Sequence, residues 1–556
     1  MANGTHPIVS YRPSGAYVPL GMLGAAGLIL IALAAIGALL GVGASRPEGV
    51  MTVLAGNMPR VWRVAGFTFW QALLSAMLSL LVALPVALAY WRRTSTWKLS
   101  KLNSLSFLAI VMPTTVAVAG LLGVWGQNGA ISYLLRAIGG DGLSPIYGLG
   151  AVLLAHVFFN APLMLRVFIS GLSSIPAAQW RLAAQWGLSD WQRFRLIEWP
   201  VFKQLIPGLV TIVFLLCFTS FSLILMLGGG PAVTTLEVSI YTALRFDFDL
   251  PMAALLSLVQ LTICAAVVAI LARLDAAGLA TVAPSPGKRL RQPGDAHYQT
   301  ILLDALLIAG FLLLAVAPLC ALILDGITDS LLRVITWPAF HRALIASLAV
   351  AVASALLATT LATIMAAARV RLERNGKWVF DLAVSLYLAV SAIVLGTGLF
   401  ILLRGMVDVF VIAPLLLLLA NMLVALPFAY RVIQGKMAML AYTQDKLCDS
   451  LDLRGWRRFR LITFPALAPE LGFAAGLSAA LSLGDMTVIA LFGSQQFQTL
   501  PWLLYQTMAR YRAEDAAALA LLLFVLTLLL FGVFVKGATY LRGRSWPHGR
   551  QSHVTD

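Results

Sequence analysis

The sequence predicts an all-α polytopic membrane protein with about twelve transmembrane helices, built as two tandem halves of six. Three observations lead there. Hydrophobic residues make up 60% of the 556 and charged residues only 11%, with a mean hydropathy of +0.90. Soluble domains carry about 45–50% apolar and about 25% charged residues. The apolar residues fall in runs long enough to cross a bilayer, and the second half of the chain repeats features of the first in register. So apolar a surface excludes a soluble protein. The formal charge of +16 sits between the apolar runs, as membrane loops require, and predicts lipid rather than nucleic acid as its neighbour.

A membrane helix needs about 20 mostly apolar residues. Twelve runs qualify, at about 19–42, 68–90, 103–125, 149–170, 206–227, 251–272, 301–324, 343–367, 380–403, 410–432, 471–492 and 516–536. The first has only Arg12 before it and continues into the chain, so it reads as a retained anchor rather than a cleaved signal peptide. An even number of spans puts both termini on one side. That side holds 29 of the 39 Lys and Arg, and the other side ten. Positive residues resist translocation, so the bias predicts cytoplasmic N- and C-termini. The four cysteines, Cys217, Cys264, Cys320 and Cys448, show no CxxC spacing and no disulfide framework.

The repeat appears at an offset of 265. Pro162 pairs with Pro427 and Arg166 with Arg431, and nine of the nineteen positions in 182–200 are identical in 447–465. Arg193-Phe194-Arg195-Leu196-Ile197 recurs as Arg458-Phe459-Arg460-Leu461-Ile462, with Trp191/Trp456 before it and Pro200/Pro465 after it. At an offset of 264 the match resumes with Thr235-Leu236 against Thr499-Leu500, and Tyr241 against Tyr505. The halves are therefore residues 1–275 and 300–556. Between them, 276–299 carries Pro284, Pro286, Pro293, Gly287, Gly294 and the cluster Lys288-Arg289-Arg291, a flexible connector spanning about 25–30 Å.

The repeated loops, near 173–203 and 438–468, lie between the fourth and fifth spans of each half. In the first, Pro176 suits the opening turn of a short helix and Gly187 the left-handed residue that ends one. An amphipathic stretch then runs to Pro200, which should terminate it. The second loop has Leu447-Cys448-Asp449, with Asp452 where Gly187 stands in the first. Asp tolerates the left-handed region better than most residues, so the turn should survive.

A short helix, a sharp turn and a second helix, present twice, resemble the EAA loop of ABC-importer permeases. In that family the loop is a coupling helix docking on an ATPase subunit. The resemblance implies a MetI-like fold in a bacterial inner membrane and a homodimeric ABC ATPase partner. It also implies a coupling role for Ala183, Ala184, Gly187, Phe194, Ile197 and Pro200, and for Cys448, Asp449, Asp452, Phe459, Ile462 and Pro465. Leu182 stands where the family carries Glu. A basic amphipathic loop lying on anionic lipid is the other reading, and it leaves the Gly/Pro scaffold unexplained.

Further blocks resemble the fused two-half permeases for thiamine and thiamine pyrophosphate. They are Leu154-Ala155-His156-Val157-Phe158-Phe159-Asn160, Leu227-Gly228-Gly229-Gly230-Pro231, Thr234-Thr235-Leu236-Glu237, Leu483-Gly484-Asp485 and Ala490-Leu491-Phe492-Gly493. Thr499-Leu500-Pro501 to Tyr505-Gln506 belongs with them. The resemblance implies thiamine or its phosphates as cargo and a periplasmic thiamine-binding protein as partner. The related fused iron(III) permeases share the architecture.

Two polar residues lie inside predicted spans. Asp485, in the eleventh, is costly enough to be a functional candidate: it either lines the path of a cationic cargo or pairs with a neighbouring helix. His156, in the fourth, is a candidate for an interhelical hydrogen bond or for the path. Glu237, Asp247 and Asp249 read as a loop group on the periplasmic side, either facing a partner or simply solvated. The Gly228–Pro231 turn is a tight re-entry or a partner contact. No GxxxxGK[ST], HExxH or GxSxG occurs. The expectation is a transport subunit that is not an enzyme and binds no cofactor, with ATP and Mg on a separate ATPase. An ion-coupled secondary transporter is the competing class, with Asp485 as its coupling carboxylate.

Overall fold

A computed structural model of the chain describes residues 17–44, 49–94, 97, 111–141, 147–230, 233–273, 295, 297–372, 374–453, 455–494 and 496–545. Within these residues the regular structure is helical, without a strand. The first half contributes α1 (Tyr17–Ala44), α2 (Gly49–Arg93), α3 (Thr114–Trp125), α4 (Ala130–Ala137), α5 (Leu149–Ser173) and α6 (Ala177–Gln185). It continues with α7 (Asp190–Arg193), α8 (Trp199–Phe218), α9 (Ser222–Leu227), α10 (Leu236–Arg245) and α11 (Leu250–Arg273). The second half supplies α12 (Tyr298–Gly326), α13 (Asp329–Ile335), α14 (Pro338–Arg371), α15 (Arg374–Ala389), α16 (Ala392–Leu403) and α17 (Ala413–Ser450). After it come α18 (Gly455–Arg458), α19 (Phe464–Gly484), α20 (Thr487–Phe492), α21 (Leu500–Ala509) and α22 (Ala513–Ser545).

Among the described residues ten helices are long and apolar enough to cross a bilayer, eleven if the bent pair α15/α16 is one span. The predicted span 103–125 falls partly outside the described residues, its described helix being α3. So does most of the connector 276–299. Several predicted spans are interrupted. The chain turns by 95° between α15 and α16, 206–227 breaks between α8 and α9, and 471–492 breaks between α19 and α20.

In each half the long second helix packs against the fourth- and fifth-span helices: α2 with α5 and α8, α14 with α17 and α19. The first helices are exchanged. α1 packs chiefly on α14 and α16 of the second half, and α12 most on α3 of the first, with α2 of the first half and α22 of its own next. Matching glycines permit the approach. A Cβ at Gly398 of α16 would lie 2.8 Å from the Ala35 carbonyl oxygen of α1, and one at Gly120 of α3 2.5 Å from the Pro318 carbonyl oxygen of α12. Small residues at close backbone crossings replace the hydrophobic drive that lipid does not supply. Polar contacts fix the exchange: Tyr387 donates to the Leu28 carbonyl at 2.8 Å, and Asp304 of α12 meets Arg92 at 2.5 Å and Arg93 at 2.8 Å.

A second symmetry lies inside the halves. Ser75 on α2 meets His156 Nδ1 on α5 at 2.9 Å, and Asn160 of α5 donates to Cys217 Sγ of α8 at 3.3 Å. In the second half Ser354 donates to Ser482 at 3.0 Å and Asn421 donates to Ser482 at 2.8 Å. His156 and Asn421, like Cys217 and Ser482, are 265 positions apart. Each half thus ties its three central helices with one buried polar cluster.

Candidate functional site

The repeated turns are superposable in their hydrogen bonding. In the first, Leu188 N donates to the Ala183 carbonyl at 3.0 Å and Gly187 N to the Ala184 carbonyl at 3.2 Å. In the second, Leu453 N donates to the Cys448 carbonyl at 2.8 Å and Asp452 N to the Asp449 carbonyl at 3.2 Å. Both are Schellman closures, which need a left-handed residue at the turn. Gly187 supplies it with φ +61° and Asp452 with φ +49°. The Asp452 turn predicted from sequence is therefore formed.

Beyond the turn the halves continue alike. Ser189 and Gln192 make a reciprocal capping box at the start of α7. Buried Arg193 bonds Asp190 and donates to the Leu188 carbonyl at 3.0 Å. Its counterpart Arg458 bonds Asp445 instead. Phe194 and Phe459 are the middle rungs of aromatic ladders, Trp191–Phe194–Trp199 and Trp456–Phe459–Phe464, with centroids 5.2–6.0 Å apart.

Three details differ from the sequence reading. Pro200 does not end the stretch before it. A π-helical turn over Phe194–Glu198 carries the chain into α8, and Pro200 sits in the first turn of α8. Pro465 does the same in α19 after a π turn over Phe459–Thr463. The second loop has no separate short helix, since α17 runs unbroken from the spans to Ser450. Ala441 stands where Pro176 breaks the first half. Ala183 and Cys448, 1% and 0% exposed, face inward and seat the turn on the helices behind it.

The side chains that point outward are larger. Leu182, Trp186, Trp191 and Leu196 are exposed in the first turn, and Leu447, Leu451, Trp456 and Leu461 in the second. They occupy the same four positions of the repeat. Trp186 is 73% exposed and Leu451 59%. Large apolar groups facing water at matching positions mark a contact surface. The signal was present in the sequence as apolar residues on otherwise basic loops.

Of the polar span residues, His156 is buried and serves the interhelical cluster described above. Asp485 lies between α19 and α20 rather than inside a continuous helix. Its Oδ1 accepts from Thr487 N at 3.0 Å and its Oδ2 from Val488 N at 3.4 Å, so it caps α20. The Gly228–Gly230 turn is a tight re-entry, with φ +71° and +124° at Gly229 and Gly230 and with Gly148 N donating to the Leu227 carbonyl at 2.8 Å. Pro231 lies outside the described residues. Asp247 and Asp249 are exposed.

Glu237 is not the loop residue the sequence suggested. It sits in the first turn of α10, 1% exposed. Its Oε1 accepts from Gln260 Nε2 of α11, which also lies 3.0 Å from Ser391 Oγ at the start of α16. Glu237 Oε2 and Gln260 Oε1 find no hydrogen-bond partner among the described residues. A cavity of about 660 Å³ lies elsewhere, behind the repeated turn of the second half, bordered by Thr359, Gln444 and Phe459 and by Leu20 of α1.

No family model matches the chain. Among curated proteins it is similar to the "Thiamine transport system permease protein ThiP" of Brucella abortus, 40% identical over 522 residues, which cover 92% of this chain and 95% of that one. The protein of the same name from Escherichia coli is 38% identical over 484 residues, 86% and 89% of the two chains. That from Salmonella typhimurium is 37% identical over 545 residues, 96% and 98%.

Proposed function

Because the chain belongs to the thiamine transport system permease family, we propose that it is the membrane subunit of an ATP-driven importer that carries thiamine across the bacterial inner membrane. A periplasmic binding protein delivers the cargo, and two copies of an ABC ATPase supply the work. The paired turns carry the reading. One chain presents two equivalent apolar docking surfaces, Leu182/Trp186/Trp191 and Leu447/Leu451/Trp456, as a symmetric pair of ATPase subunits requires. The turns lie in loops rich in Lys and Arg, and the Lys and Arg bias supports a cytoplasmic place for them and for both termini.

Closure of the ATPases on ATP draws the two turns together. The push passes through the buried faces of Ala183 and Cys448 and through the aromatic ladders into α8 and α19. Rocking of the halves then opens the far side to the binding protein. The chain contributes a pathway and no nucleotide site, and ATP and Mg stay on the ATPase. Thiamine rather than iron(III) is supported by the names of the relatives.

The test is uptake of labelled thiamine into proteoliposomes holding this chain together with its partner ABC ATPase and a periplasmic thiamine-binding protein. Uptake that needs ATP and all three components is expected. ATP-independent uptake driven by an ion gradient would overturn the reading in favour of a secondary transporter, and uptake of iron(III) instead would overturn the cargo.

A further inference from the structure

Two other buried carboxylates at contacts in this protein are each neutralised twice. Asp304 meets Arg92 and Arg93, and Asp515 meets Arg333 and Arg512. Among the described residues Glu237 meets only the neutral Gln260 and, beside it, Ser391. An unpaired ionised carboxylate in an apolar interior still costs several kcal/mol after relaxation, and such a group inside a membrane protein marks a functional position.

Its place is specific. α10 and α11 of the first half pack on α16 of the second, so Glu237, Gln260 and Ser391 lie on the seam between the halves. Gln260 is ten residues into α11, about 15 Å from its outer end at 1.5 Å per residue. Ser391 stands at the 95° break between α15 and α16, where its Oγ accepts from Val394 N at 3.4 Å and caps α16. The cluster is therefore near the middle of the spanning region, where two discontinuous helices begin. Alternating access exposes such a place to each side in turn. Two acceptors are idle there, Glu237 Oε2 and Gln260 Oε1. The second half has no copy of this site, since Pro501 stands where Glu237 would repeat and Phe524 where Gln260 would. A single-sided charge suits one asymmetric cargo.

We propose that Glu237, oriented by Gln260 and Ser391, is the counter-charge that receives the cationic ring of thiamine as it passes between the halves. This rests on the thiamine-importer reading above. The thiazolium nitrogen is quaternary and carries no N–H, so its positive charge is fixed and a negative group complements it better than a hydrogen-bond acceptor alone. In the conformation described here the seam is closed on the carboxylate. Separation of α10 and α11 from α16 would open it.

The experiment measures uptake in the same three-component proteoliposomes with wild type, Glu237→Gln and Glu237→Asp. The cargoes are thiamine and an isosteric analogue whose thiazolium is replaced by an uncharged ring. Glu237→Gln is expected to lower thiamine uptake at least tenfold. Glu237→Asp should keep at least a third of it, and the preference for thiamine over the neutral analogue should collapse only in the Gln variant. Undiminished thiamine uptake in Glu237→Gln, or loss shared equally by both cargoes or by both variants, overturns the proposal. Failure of the wild type to take up thiamine with ATP is a separate result, and it removes the importer reading together with this one.

Discussion

Asp452 holds the same left-handed backbone conformation as Gly187, 265 positions earlier, with φ +49° against +61°. The two residues close identical Schellman turns. The motif that sequence comparison would read as broken in the second half is thus conformationally intact. What the turn demands is a residue that accepts positive φ, and Asp meets that demand with a small penalty where a β-branched residue meets it badly.

The first prediction follows from this equivalence. No atom lies within 4 Å of a Cβ built on Gly187, so substitution there is a test of backbone strain alone. Gly187→Asp should retain most ATP-driven uptake, because the second half already works with Asp. Gly187→Val should cost about 1–2 kcal/mol in the turn and lower uptake severalfold. Equal activity of the two variants at equal membrane abundance would show that the turn conformation is not used.

Contact rather than conformation is tested by the outward side chains. Trp186→Ala and Leu451→Ala remove exposed apolar groups that touch little within the chain. Thermal stability in detergent should hardly change. Affinity for the ATPase should fall by about tenfold for each, the equivalent of about 1.4 kcal/mol. Titration of labelled ATPase onto the purified permease reads this directly, and unaltered affinity in the double variant would remove these residues from the interface.

Much of the fold was legible because membrane helices announce themselves by length and composition, and because a repeat in register assigns the halves. Gly187 and Asp452 could be placed for the same reason, since turn chemistry is local. The exchange of α1 and α12 was not legible. Helices that are apolar all round carry no stripe that names a partner, and the glycines that admit them, Gly398 and Gly120, lie far away in sequence. Glu237 was misread for a related reason. α10 has ten residues, too few for a span, so its segment looks like a loop, and its packing against α11 and against α16 of the second half is what buries it.

The polar clusters give a prediction in which the two halves act as controls for one another. His156→Asn places in the first half the residue that Asn421 provides in the second, and should leave stability within about 1 kcal/mol. His156→Leu removes the partner of Ser75 and should lower stability by about 0.6–2 kcal/mol, with uptake falling only as far as the folded fraction does. Full stability with abolished uptake would instead move His156 into the path of the cargo.

Asp304 offers the strongest test of the exchanged helices. It is fully buried, 2.5 Å from Arg92 and 2.8 Å from Arg93, and Arg93 Nη1 also donates to the Asp295 carbonyl at 2.7 Å. Asp304→Asn removes the charge that both arginines share while keeping the shape. Removing one partner of a buried pair costs about 3–5 kcal/mol. The lower end is expected here, because the Arg92 side chain is 22% exposed and can turn to water. The loss should appear as a fall in the detergent melting temperature. Adding Arg93→Gln, which removes the more deeply buried of the two arginine charges, should recover part of it. If Asp304→Asn melts like wild type, the arginines do not hold α12 against the first half, and the apolar contacts of α12 with α3 and α2 carry the exchange alone.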